Sequence, residues 1–92
     1  MPTVAKRPLE LAAADYEVAE AHFMTLVRDS AGRTALGEAA RAVAAVSEQQ
    51  NRLAAEAYHA GEDTFWMPLD QLTEVTEVLA DLWHDLASAY EA

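Results

Sequence analysis

Two short motifs in this chain have the spacing of metal ligands. Glu56-x-x-His59 and Asp81-x-x-His84 each set a carboxylate three residues before an imidazole. On a helix that spacing puts both groups on adjacent turns of one face, within reach of one cation. Helical bundles that bridge two metal ions use such pairs with Glu from other helices, all pointing inward. Here the apolar repeat runs through other positions. Glu56, His59, Asp81 and His84 are expected on faces that meet water, so no metal and no other cofactor is expected. An ion collected by Glu77, Asp81 and His84 would be adventitious.

Other chemistry is poorly supplied. There is no Cys to act as a nucleophile or thiolate ligand. Ser30, Ser47 and Ser88 lie in no nucleophile motif, and no Gly-rich phosphate loop is present. General acid–base catalysis needs a concave, partly dry site that shifts a pKa. Three short helices rarely enclose one, so the expectation is a protein that is not an enzyme.

Charge is the most uneven property. From Leu53 onward the charged residues are Glu56, Glu62, Asp63, Asp70, Glu74, Glu77, Asp81, Asp85 and Glu91, with no Lys or Arg. The preceding residues hold seven acids against six bases, so nearly all of the net charge of -10 sits in one half. A field of one sign repels nucleic acid and acidic membranes and attracts basic surfaces. Direct nucleic-acid binding is not expected, because a duplex needs several positive contacts. The acids Glu74, Glu77, Asp81 and Asp85 are the expected contact for a basic partner. Two further readings are a DNA mimic that occupies a nucleic-acid-binding protein, and a carboxylate–His metal-binding bundle.

These residues must be positioned by helices. Gly and Pro number three each and fall at the N-terminus or near two breaks, while the stretches between are rich in Ala, Glu and Leu. The first helix is expected at about 8–29, with Pro8 at its first position and a stripe of Leu9, Ala12, Tyr16, Ala19, Phe23 and Leu26. The second is expected at about 35–60, N-capped by Thr34. Its stripe holds Leu36, Ala39, Val43, Val46, Gln50, Leu53 and Ala57, with same-face ion pairs Glu38–Arg41 and Glu48–Arg52. The third is expected at about 68–91, begun by Pro68, and Phe65, Trp66 and Met67 should dock on the bundle end. Its regular Leu and Val spacing places Leu72, Val75, Leu79, Leu82 and Leu86 in the core. Asp70, Glu74, Glu77, Asp81 and His84 lie opposite, and Asp85 borders the stripe. Residues 1–7 read as a flexible arm.

The fold expected is all-α: a small three-helix bundle, an antiparallel hairpin plus a C-terminal helix, in one domain of 92 residues. A chain this short without disulfides often gains stability by assembling. A homodimer is therefore expected, using the secondary apolar line of Leu11 and Val18 and, on the third helix, Val78. Gln50 in a stripe could fix register. No secretory signal or membrane-spanning run is seen, and a cytoplasmic location is expected. Function reduces to an interaction module, an adaptor or regulator that acts through protein contacts.

Overall fold

A computed structural model describes residues 6–61 and 67–92. It contains three helices, α1 (Lys6–Arg28), α2 (Arg33–His59) and α3 (Leu69–Glu91), and no strand among the described residues. The boundaries follow those expected from periodicity to within two residues. Of the expected arm, Lys6 and Arg7 open α1 instead, and residues 1–5 lie outside the described part. No helix among the described residues is long and apolar enough to cross a membrane.

The helix ends differ from expectation in informative ways. Pro8 sits in the first turn of α1, not at its first position, where its missing N–H is still harmless. Thr34 lies inside α2; the N-cap is Gly32, with no side-chain cap bond. Pro68 caps α3 and Leu69 is its first residue. α1 ends in a left-handed turn at Ser30, φ 57°. There the amide of Ala31 reaches back to the carbonyl of Leu26 (2.9 Å) and that of Ser30 to Val27 (3.1 Å). Such a turn normally carries Gly, because a Cβ is strained in that conformation. Ser30→Gly should therefore raise stability by about 1 kcal/mol, seen as a rise of about 4–8 °C in Tm. An unchanged Tm would mean that Ser30 carries no strain.

The middle helix is smooth and the outer two are not. α2 buries Gly37, Ala39, Ala40, Val43, Ala44, Ala54 and Ala57. A Cβ added at Gly37 would meet the Cβ of Tyr90 at 3.2 Å, which marks how closely α2 and α3 approach. α1 and α3 both run antiparallel to α2, and the body measures 46 × 20 × 15 Å, about one helix long. One core cluster joins Leu9 to Ala54, Ala57, Leu69 and Leu72, with Met67 packed against it. Phe65 and Trp66, expected to dock beside Met67, lie outside the described residues. The other cluster gathers Phe23, Ala39, Ala40, Val43 and Ala87 beneath Tyr16, Trp83 and Tyr90.

Between these clusters the interior is polar. Ser47, Gln50 and Thr76 are buried. The Ser47 hydroxyl donates to the Val43 carbonyl (3.0 Å) and that of Thr76 to Leu72 (2.8 Å). Asn51 Nδ2 crosses from α2 to donate to the Thr73 carbonyl (2.8 Å) and to Thr76 Oγ1 (3.2 Å). The buried Ser47 and Thr76 hydroxyls thus find the partners their desolvation demands, and among the described residues no fully buried side-chain N or O atom is left without one.

The register of α3 corrects the expected core. Leu72 is buried, but so are Leu69, Thr76, Ala80 and Ala87, while Leu79 and Leu86 are half-buried. Val75 and Leu82, expected inside, are 43% and 59% exposed. The physical reason is the alanine lining of α2. Small residues on α3 allow close backbone approach there, so Thr76, Ala80 and Ala87 face α2 and the bulkier line rotates toward α1 and solvent.

Candidate interaction surface

The outer side of α3 is where the four expected contact acids lie. Glu74, Glu77, Asp81 and Asp85 are all exposed. Their spacing puts them on adjoining turns of one face. Among the described residues none of the four takes part in an ion pair or side-chain hydrogen bond. Beside this acidic row stand Val75, Leu82 and Val78, the last 57% exposed. The surface therefore combines carboxylates with aliphatic side chains, of which the apolar periodicity alone assigns Val75 and Leu82 to the core.

His84 is not part of that outer face, as was expected, but lies half-buried between α2 and α3. Its Nε2 meets the carboxylate of Glu48, and its Nδ1 lies 3.2 Å from Nη1 of Arg41. A guanidinium can only donate, so Nδ1 accepts and the ring proton sits on Nε2, donating to Glu48. Arg41 then grips Glu91 through Nη2 (2.8 Å) and Nε (3.3 Å). The expected same-helix pairs Glu38–Arg41 and Glu48–Arg52 give way to these bonds across the seam. At its end, Arg33 donates to the carbonyls of Ala89 (2.7 Å), Tyr90 (2.8 Å) and Ala92 (3.3 Å), supplying donors to the open end of α3.

The two metal-spaced pairs lie on different helices and do not converge on one site. Glu56 and His59 are exposed on the last turns of α2, and Asp81 is exposed while His84 is engaged by Glu48 and Arg41. Among the described residues no three His, Cys, Asp or Glu side chains gather as a metal site. A shallow groove of about 260 Å³ beside His84 is lined by Glu48, Asn51, Arg52, Glu77 and Asp81. It carries charges of both signs.

On the α1 side, the α3 rings meet those of α1. Phe23 stands edge-on to Trp83 at 5.1 Å and to Tyr90 at 6.2 Å. Trp83 Nε1 donates to the Tyr16 hydroxyl (3.2 Å), which in turn donates to Glu20 (3.0 Å). Burial pushes the Tyr16 phenol above its ordinary pKa; the Trp83 bond opposes this and Glu20 reinforces it. The neutral phenol is the form that can both accept and donate in this chain.

Leu11 and Val18, the expected self-association line, are exposed. The structure does not bring them together with Val78. At about 100° per residue they project from the flank of α1 opposite to Glu20 and Met24, and Val78 is on the outer side of α3. The periodicity missed Val75 and Leu82 as surface residues, and the signal available was the alanine content of the second helix. Comparison of the chain with protein-family models, curated proteins and solved structures finds no match.

Proposed function

We propose that this chain is a non-enzymatic interaction module, an adaptor or regulator, that offers the outer side of α3 to a basic protein surface. The observation that carries this reading is that Glu74, Glu77, Asp81 and Asp85 are exposed beside solvent-facing Val75, Val78 and Leu82. Charged rows steer and orient a partner, while desolvated aliphatic side chains supply affinity. Neither feature is needed to hold α3 in the bundle, whose buried line is Leu69, Leu72, Thr76, Ala80 and Ala87.

The test starts with a nuclease-treated pull-down from the native host, followed by titration of the purified partner. Replacing the four acids together (Glu74→Gln, Glu77→Gln, Asp81→Asn, Asp85→Asn) should weaken binding about tenfold or more and flatten its salt dependence. Unchanged affinity would reduce the acidic row to a solvated face. Displacement of the partner by duplex DNA would favour the DNA-mimic reading over an ordinary adaptor.

A further inference from the structure

The seam between α1 and α3 is open. Both helices rest on α2, yet among the described residues no Cα of α1 lies within 8 Å of a Cα of α3. Directly packed helices have axes about 8–10 Å apart and do bring Cα atoms that close. The gap is spanned by the rings of Tyr16, Phe23, Trp83 and Tyr90.

The walls of this seam follow from helical spacing of about 100° per residue. On α3, Thr73, His84 and Glu91, which bond to α2, fall on one side of the buried line. Val75, Leu79, Leu82 and Leu86 fall on the other side, toward α1, with Val78 beyond them. On α1, Tyr16 and Phe23 lean toward the side that also carries Ala13, Glu20 and Met24. Met24 is exposed, as are Val75, Val78 and Leu82. The apolar strip is thus continuous with the bundle core and wet along its length.

Both rims are acidic. Beyond the apolar wall of α1 come Glu10 and Glu17, and beyond that of α3 come Glu74 and Asp85, all exposed. The bases of α1, namely Lys6, Arg7 and Arg28, are confined to its ends, and α3 has none. A second copy of the chain laid in this groove would set these carboxylates against one another. Like charges brought together in a partly desolvated contact oppose binding. A helix with an apolar stripe between two basic edges meets no such opposition.

We propose that the α1–α3 groove binds a basic amphipathic helix of a protein partner as the fourth helix of the bundle. Its apolar stripe rests on Leu79, Leu82 and Leu86, and its bases face the carboxylates of both rims. The mode is a helix in a groove, with anchors at helical spacing. The inference rests on the interaction-module reading and deepens it by naming the partner's shape.

The experiment is calorimetric titration with a synthetic helical peptide of Leu and Lys matching α3 in length. A scrambled peptide of equal composition, unable to form a stripe, is the control. The amphipathic peptide should bind one to one and the scrambled one at least about tenfold more weakly. Leu82→Asp should weaken the amphipathic peptide about tenfold or more, although it makes the chain more acidic. A purely electrostatic attraction would instead tighten. Val78→Asp is a second variant at a similarly exposed position, and far-UV circular dichroism confirms that both fold. Equal binding of the two peptides, with Leu82→Asp harmless, would overturn the groove and leave the acidic row as a simple electrostatic surface. No binding of either peptide would overturn it as well, while a natural partner sensitive to the four-acid variant would still support the module. Sedimentation showing a dimer that Leu82→Asp dissolves would assign the groove to a second copy and overturn the basic helix.

Discussion

Phe23→Ala should lower the unfolding free energy by about 3–5 kcal/mol in urea titrations followed by circular dichroism. Phe23 is 5% exposed and belongs to the cluster with Ala39, Ala40, Val43 and Ala87. Three of the four buried residues clustered with it are alanines, which cannot extend to refill the space. Truncation therefore leaves a cavity as well as removing apolar contact. It also removes both edge-on ring contacts, to Trp83 and Tyr90, each worth about 0.5–1.5 kcal/mol beyond burial. Because these rings tie α1 to α3 across the open seam, α1 should lose protection first. A loss below about 1 kcal/mol would mean that α1 does not pack as described.

Leu72→Ala and Leu82→Ala form the second pair of expectations. Leu72 is 3% exposed and belongs to the core cluster with Leu9, Ala54, Ala57 and Leu69, so its truncation should cost about 2–5 kcal/mol. Leu82→Ala should cost about 0.5 kcal/mol or less, since most of its surface is already wet and Ala is the better helix former. The two residues look alike in the amino-acid sequence, where both belong to the regular Leu and Val spacing of the third helix. Equal losses would restore the register in which Leu82 is core.

That pair also shows where sequence reasoning reaches its limit here. Helix number and ends were legible because an apolar repeat of three and four residues has one backbone interpretation. The burial of Leu9, Phe23, Ala39, Val43, Gln50 and Ala57 follows the expected stripes of the first two helices. Along α3 the same reasoning ranked Leu and Val above Thr and Ala. Packing against an alanine-lined helix reverses that order, because proximity of backbones outweighs the size of any one side chain. The exposure of Glu74, Glu77 and Asp81 was legible, since those acids oppose the expected stripe; Asp85, at its border, is exposed because the packed line is rotated away from it. The cross-seam bonds of Glu48, Arg41 and His84 were not. Local spacing offered each arginine an acid on its own helix, and only the tertiary fold decides between near and distant partners.

The polar middle of the bundle fixes the position of α3 along α2. A helix lying on a track of alanines meets nearly the same surface after every turn, so apolar contact alone is a poor ruler of its axial position. Asn51 supplies the missing graduation mark. Its amide donates to the Thr73 carbonyl and to Thr76 Oγ1. A shift that carries Leu72 opposite Asn51 would offer that amide a hydrocarbon in place of an oxygen, at a cost of about 1–3 kcal/mol. One asparagine and two threonines thus act as a vernier, holding the acidic row and the aliphatic strip of α3 at a single height along the molecule.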